Sequence, residues 1–443
     1  MVKLEDHPTV IRHRQSRKAL PTKFLDAAQI RRVCLEEGAD DVGFVSIGRP
    51  ELDDQREDIL RVYPWAKGLI SIVCKMNREP IRSTARSVAN LEFHHTGDRT
   101  NEVASAIVSA LEAEGRRAVN PSMGFPMEMD RSPGKIWVVA HKPVAVAAGL
   151  GQMGIHRNVI HPKFGNFILL ATIVVDAEIS EEGSRLDYNP CLECKLCVAA
   201  CPVGAIGADG HFDFSACYTH NYREFLGGFS DWVENIVESR DALDYRGRVS
   251  ERETTSMWQS LSFGPNYKAA YCMAVCPAGD DVIGPFLDDR KGFLEAVVNP
   301  LQDKEETLYV VPGSDAEAFA AKRFPHKKQK PVGNGLRPSS IRSFLVNLPR
   351  VFQRHRSEGL AATYHFTFTG REPALATVVV RDKTIRVAEG HAGTPDLAIA
   401  ADSEAWLGFV RKEGSLVWAL LTRRIRLKGS PRFLLAFGRC FPS

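Results

Sequence analysis

Nowhere in its 443 residues does the chain carry an apolar run long enough to cross a bilayer, which takes roughly eighteen residues or more. The longest, Phe167 to Val175, has the length and Ile/Leu/Val/Thr content of a buried strand. The opening stretch MVKLEDHPTVIRHRQSRKALP holds neither an apolar centre nor a twin-arginine pair, so no export signal and a cytoplasmic location are expected. Excess charge is missing too. Lys and Arg number 57 against 54 Asp and Glu, a formal +3, which leaves no basic footprint for nucleic acid, and such a partner is not expected. A disulfide framework is also absent: of ten cysteines, seven belong to the cluster motifs, the pattern of a reducing compartment. Cys34, Cys74 and Cys440 stand apart and are expected to be packed thiols.

What is present is concentrated in one segment. CLECKLCVAACP places Cys191, Cys194, Cys197 and Cys201 in a C-x2-C-x2-C-x3-C-P run. Thiolates two residues apart can wrap one cubane, and the fourth, carried onto the next helix, reaches a second cluster. A later C-P at Cys276-Pro277, with Cys272 before it and Cys217 upstream, supplies the returning ligands of a two-cluster module. Zinc sites instead use two separated cysteine pairs. The expectation is iron–sulfur redox chemistry.

With 44% hydrophobic and 25% charged residues the chain is globular, and its length calls for two or three domains. Residues 25–38 and 101–114 read as helices and 40–48 and 68–76 as strands, making residues 1–186 an α/β domain. The cysteine module spans 187–300, with an aromatic-rich insertion at 218–268 that includes Tyr222 and Tyr267. Residues 301–340 form a linker region, since FPHKKQKPVGNGLRPSS is basic, rich in Pro, Gly and Ser and without periodicity. Residues 341–443 restart as a helix, a β-meander and further helices, an α+β domain.

With the cysteines placed, residues 25–290 resemble the iron–sulfur half of two cobalamin-dependent families, the reductive dehalogenases and the epoxyqueuosine reductases. The likeness is carried by AVAAGLGQMGIHRNVIHPKFGNFILLATIVVD, residues 145–176, and by the gap from Cys201 to Cys217. It implies a corrinoid, with Gly149, Gly151 and Gly154 letting a backbone approach that flat cofactor. The spacing also fits a dinucleotide loop, but no typical preceding strand is evident.

Three departures stand out. Position 269 is Ala where the second cysteine group of those families continues, so Cys191, Cys194, Cys197 and Cys276 would hold a [4Fe-4S] cluster, while Cys201, Cys217 and Cys272 would hold a [3Fe-4S] cluster or a [4Fe-4S] cluster with a non-cysteine ligand. Ala140 stands at the acid position of the epoxyqueuosine reductases. No tyrosine lies between Tyr63 and Tyr188 to match the dehalogenase proton donor. His141, with Lys142 beside it, is therefore the candidate acid.

Residues 355–443 resemble the sterol carrier protein type two domain, which implies an apolar tunnel. Phe366, Phe368, Trp406, Leu407, Phe409, Trp418, Leu420 and Phe433 are candidate liners. Together these resemblances imply a corrinoid-dependent iron–sulfur reductase. It would act on a hydrophobic or acyl molecule, draw on an external low-potential donor such as a ferredoxin, flavodoxin or reductase, and be compatible with a homodimer. The rivals are a ferredoxin-like carrier or lipid-responsive redox protein without catalysis of its own, and a tRNA epoxyqueuosine-type reductase.

Overall fold

The computed structural model describes residues 3–15, 23–132, 134–333 and 338–442. Part of the opening stretch examined for an export signal lies outside them, as do residues 334–337 of the expected linker.

Helix α1 (Ala27–Glu36) starts where the Asp26 carboxylate accepts from Gln29 N at 2.7 Å. Strands β1 (Asp41–Ser46) and β2 (Gly68–Lys75) follow, then the long helix α2 (Arg86–Ala113), the short β3 (Ala118–Val119), helix α3 (His141–Ala147) and β4 (Ile168–Val175). The sheet runs β1-β2-β4-β3 and every pairing in it is antiparallel. All eight residues of β4 are buried because helices cover both faces. Ile70, Ile72, Ala171 and Ile173 pack against Ile30, Cys34, Val103 and Ile107 of α1 and α2. Leu69 and Val174 pack on the other side against Val144 and Ala147 of α3. The sequence shows only the last turns of α2, since Asn90, His94, Thr96 and Gly97 interrupt the apolar period nearer its start.

The cysteine module is built of short helices: α4 (Leu196–Ala200), α5 (Phe214–Asn221) and, after the insertion, α9 (Tyr271–Ala274). The insertion folds into α6 (Gly227–Glu238), α7 (Ala242–Arg248) and α8 (Glu251–Phe263), the last opened by a Ser250/Glu253 capping box.

The expected linker region is different. Residues 307–331 form a β-α-β unit, in which β5 (Thr307–Val310) pairs in parallel with β6 (Lys328–Pro331) and α10 (Asp315–Arg323) crosses between them. Two of its lysines are anchors, while Lys322 and Lys328 are exposed. Lys327 Nζ, fully enclosed, donates to Glu306 Oε1 at 2.6 Å and to Leu301 O at 3.0 Å, and Lys330 Nζ meets Glu253 Oε2 at 2.5 Å. KQKP has no alternation of apolar residues, so its strand pairing leaves no pattern to read.

The C-terminal unit opens with α11 (Ile341–Val351), followed by β7 (Ala362–Thr369), β8 (Ala374–Arg381), β9 (Thr384–Glu389), β10 (Leu397–Asp402), α12 (Ser403–Val410), α13 (Leu416–Leu421), β11 (Ile425–Gly429) and α14 (Pro431–Arg439). Its sheet runs β9-β8-β7-β10-β11, with only β7 and β10 parallel. The core of this unit draws on residues 341 to 441 alone. Among the described residues no helix is long and apolar enough to cross a membrane.

Candidate functional site

Two backbone frames repeat one another. Lys195, between Cys194 and Cys197, takes the left-handed conformation at φ 51°, and Ala270, between Ala269 and Cys272, does so at φ 53°. Each turn then opens a short helix (α4 or α9) and ends in a Cys-Pro pair, at Cys201 or Cys276. Ala269 thus occupies the place that Cys194 holds in the first frame, buried in the core cluster that contains Cys201 and against which Cys217 and Cys272 pack.

The thiols converge in two groups. Cys276 lies in the electrostatic reach of Cys194 and Cys191, and Cys197 in that of all three, while Cys272, between the groups, reaches both Cys197 and Cys276. Cys217 lies in reach of Cys201 and Cys272, and Cys272 of Cys201. Among the described residues no three side chains close on a single-ion point. A cubane is a larger body than one metal ion, and its thiolates stand correspondingly further apart. Burial holds the thiols of Cys272 and Cys276 up at about 12, so cluster assembly must expel protons.

Backbone N–H groups are already aimed at sulfur. Ala205 N donates to Cys201 Sγ at 3.2 Å and Ile155 N to Cys191 Sγ at 3.3 Å, contacts of the kind that tune cluster potential. The donor set fits iron–sulfur clusters.

Ile155 explains the glycine-rich stretch better than a cofactor does. Gly149 sits at φ 79° with the Ser184 carbonyl where a Cβ would point, Gly151 faces the Ile160 carbonyl, and Gly154 faces Ile160 Cδ1 and the His156 ring. In the Cβ direction of each glycine the close approach is made by this chain itself. The turn these glycines permit presents Ile155 N–H to Cys191.

His141 is likewise corrected. Its Nε2 faces Ser122 O at 2.9 Å, so Nε2 carries the proton, and Nδ1 accepts from Thr172 Oγ1 at 3.0 Å. Both nitrogens are spent and burial lowers the ring's pKa, which makes it a neutral strut between α3 and β4. Lys142 is the residue that looks outward. Its side chain is exposed to solvent. Its Nζ donates to Arg157 O at 2.7 Å and Asn158 Oδ1 at 2.9 Å. Burial lowers its pKa, while the facing thiols of Cys272 and Cys217 raise it.

The insertion brings two residues to the same neighbourhood that the motif reading passed over. Tyr222, in electrostatic reach of Cys217 and Cys272, lies 5.6 Å ring to ring from Tyr267. Both are half-buried with phenols raised chiefly by desolvation, Tyr267 to about 12. No hydrogen bond of either hydroxyl is found among the described residues. Phe225 packs against both rings and Phe125 against Phe225, closing an aromatic wall. Of the loop residues near Glu128, Arg131 is held at 2.5 Å and Lys135 at 3.5 Å by Asp58, away from this wall.

Buried neutral histidines surround the module. Asn158 N–H donates to His156 Nδ1, so Nε2 bears the proton and the facing Asn166 amide must turn its oxygen to it, which satisfies an oxygen otherwise without a partner. Burial depresses His156 and His220 from 6.5 to about 4. The unfolded chain therefore takes up protons below 6.5 that the fold refuses until about 4. Stability is full above the upper value and drains as pH falls through that window, by up to about 1.4 kcal/mol per pH unit for each ring. Urea unfolding at pH about 7 and about 5 is expected to show a lower midpoint at the acid value; equal midpoints would mean that the rings ionise inside the fold.

In the C-terminal unit, Phe366, Phe368, Trp406 and Leu407 are buried, with Trp406 edge-on to Phe344, Phe366 and Phe409. Trp406 Nε1 is buried without a partner among the described residues. Phe409, Leu420 and Phe433 pack partly buried against this core. Trp418 is not a liner: it is 67% exposed on α13.

These features define an iron–sulfur redox protein with an α+β appendage, and comparison with known proteins makes both parts specific. A 4Fe-4S binding domain matches residues 185–207, and the SCP-2 sterol transfer family matches residues 350–442. The chain is similar to the epoxyqueuosine reductase of Cellulophaga algicola, 32% identical over 188 residues, which cover 41% of this chain and 58% of that one. It thus spans a little over half the length of that relative. Among solved structures, an epoxyqueuosine reductase with a tRNA-Tyr epoxyqueuosine-modified stem loop aligns at TM-score 0.36 and 16% identity, over 56% of this chain and 64% of the other. A catabolic reductive dehalogenase with 3-bromo-4-hydroxybenzoic acid aligns at TM-score 0.38 and 15% identity, over 61% and 34%. The chain is an iron–sulfur protein resembling the epoxyqueuosine reductases, joined to a sterol-carrier-like domain.

Proposed function

We propose that the protein is a corrinoid-dependent iron–sulfur reductase with two clusters, acting on a hydrophobic substrate and fed by an external low-potential donor. The observation that carries this reading is the set of titratable side chains beside the second thiol group. Lys142 and Tyr222 each lie within electrostatic reach of Cys217 and Cys272, and Tyr267 packs 5.6 Å from Tyr222, side chains for which a simple electron carrier has no use. When bound, the clusters supply one-electron storage and the corrinoid supplies reductive chemistry at carbon. The rest falls to this chain's own residues. Cys191, Cys194, Cys197 and Cys276 hold the first cluster; Cys201, Cys217 and Cys272 hold the second, whose place for a further thiolate is taken by Ala269. The aromatic wall keeps water out. Lys142 Nζ, which donates to the two acceptors Arg157 O and Asn158 Oδ1, holds a proton ready for a reduced substrate.

The division at about residues 186 and 341 assigns this chemistry to the first three hundred residues. The C-terminal domain is read as lipid-binding, with Trp406 N–H offering the polar handle in an apolar interior. The second reading, a reductase of epoxyqueuosine in tRNA, is supported by the sequence similarity to that enzyme and runs against the balanced charge of the chain.

Anaerobic reconstitution with iron, sulfide and cobalamin, followed by desalting and an absorption spectrum, tests the proposal. Retention of both chromophores is expected. Protein that keeps iron but releases all corrinoid would be a carrier. Trial of an epoxyqueuosine stem loop against aryl halides then separates the two enzyme readings.

A further inference from the structure

Two half-buried arginines with buried guanidinium nitrogens remain that none of the preceding chemistry uses. Arg82 closes the short helix Arg78–Arg82, and Arg86 opens α2 four residues later. The Arg82 guanidinium is sandwiched between the rings of Phe167 and Phe293, 5.4 Å from each centroid. Only its Nη1 finds a partner, the exposed Glu79 at 3.3 Å, while Nε and Nη2 are buried with none among the described residues. Arg86 stacks over Tyr271 at 5.4 Å, donates through Nη1 to Ser83 O at 3.4 Å, and has a buried Nε without a partner. Buried guanidinium N–H groups left unpaired cost free energy unless something anionic faces them.

The thiols in electrostatic reach differ between the two. Arg82 lies in reach of Glu79 and, less strongly, Cys276, and Arg86 in reach of Glu306 and, less strongly, Cys272; the two thiols belong to different groups. We infer that Arg82 and Arg86 are the charge partners of the two iron–sulfur centres, Arg82 of the first and Arg86 of the second, and that they set the centres' reduction potentials.

This rests on the two-cluster assignment above. A cluster bound by thiolates is anionic and gains a further negative charge on taking up one electron, so a fixed cation beside it favours the reduced form. The aromatic and aliphatic packing around both guanidinium groups keeps water from screening the interaction. Orphaned donors have a ready acceptor in cluster sulfide. Arginine suits the role because it stays charged when buried and presents several donors in one plane. Lys142 adds another cation within reach of the second group, so the two centres sit in different fields.

The test is a redox titration of the reconstituted full chain with dithionite, followed by EPR of each centre. Arg82→Gln is expected to lower the potential of the Cys276 centre by at least about 59 mV, a tenfold change in its reduced-to-oxidised ratio at fixed poise, and to leave the other centre unmoved. Arg86→Gln should do the reverse, and Arg82→Lys and Arg86→Lys should each recover most of the shift. Glutamine variants that lose iron while the lysine variants keep it would also trace the effect to charge. Unchanged potentials in both glutamine variants, or loss of iron that lysine does not rescue, overturns the inference and leaves the clusters standing. Absence of a second centre in wild-type protein overturns the cluster assignment instead.

Discussion

Replacing Cys194 by Ala is expected to remove the first iron–sulfur centre and leave the second detectable, while Cys217→Ala does the opposite. The expectation follows from the grouping of the thiols: Cys194 stands with Cys191, Cys197 and Cys276, and Cys217 with Cys201 and Cys272. The informative variant is Ala269→Cys. Because the Lys195 and Ala270 turns share one backbone conformation, a thiol at 269 would enter the second group as Cys194 enters the first. A three-iron centre shows its EPR signal in the oxidised protein, a four-iron centre with complete ligation only once reduced, so Ala269→Cys should move the second signal from the oxidised to the reduced sample. Added thiolate charge should also lower its potential. Iron analysis with EPR reads all three variants. A single centre in fully reconstituted wild-type protein, or an Ala269→Cys spectrum identical to wild type, would sink the assignment.

The cysteine frames were legible in the sequence because spacing there is geometry: two intervening residues place thiols around one cubane whatever lies outside. Most strands and helices of the first sheet and of the C-terminal unit follow their apolar periods for the same reason, since helices on both faces bury β2 and β4 nearly throughout. The β-α-β unit at 307–331 escaped because its second strand is held by backbone pairing and by lysines whose buried partners, Glu306 and Glu253, lie far off in sequence. The site was harder still. Neighbours on a helix point about 100° apart, and nothing in HKPVAVA says whether His141 or Lys142 turns inward; Thr172 and the Ser122 carbonyl decide it. Tyr222 and Tyr267 are separated by the whole insertion and meet only when it folds back.

Lys142→Met is expected to lower turnover by about 10²–10⁴-fold, measured with whichever trial substrate the wild-type protein reduces, and to leave iron content unchanged. Methionine keeps the length and apolar stem of the side chain and loses the ammonium. The loss has two sources, because Lys142 is exposed to solvent and lies within electrostatic reach of Cys217 and Cys272: it removes a proton donor, and it removes a cation beside the second centre. Lys142→Arg separates them. Arginine restores the charge but does not give up a proton near neutrality, so the potential of the second centre should return to the wild-type value while turnover stays low. Recovery of turnover in Lys142→Arg would assign Lys142 to electrostatics alone and move the proton to Tyr222 or Tyr267, whose phenylalanine variants should then show the loss. His141→Gln is the contrasting control. A ring with both nitrogens engaged inside the fold has no proton to deliver, so that substitution should cost stability rather than turnover per folded molecule. A thousandfold drop there, with both centres and the unfolding midpoint intact, would return His141 to the chemistry and remove Lys142 from it.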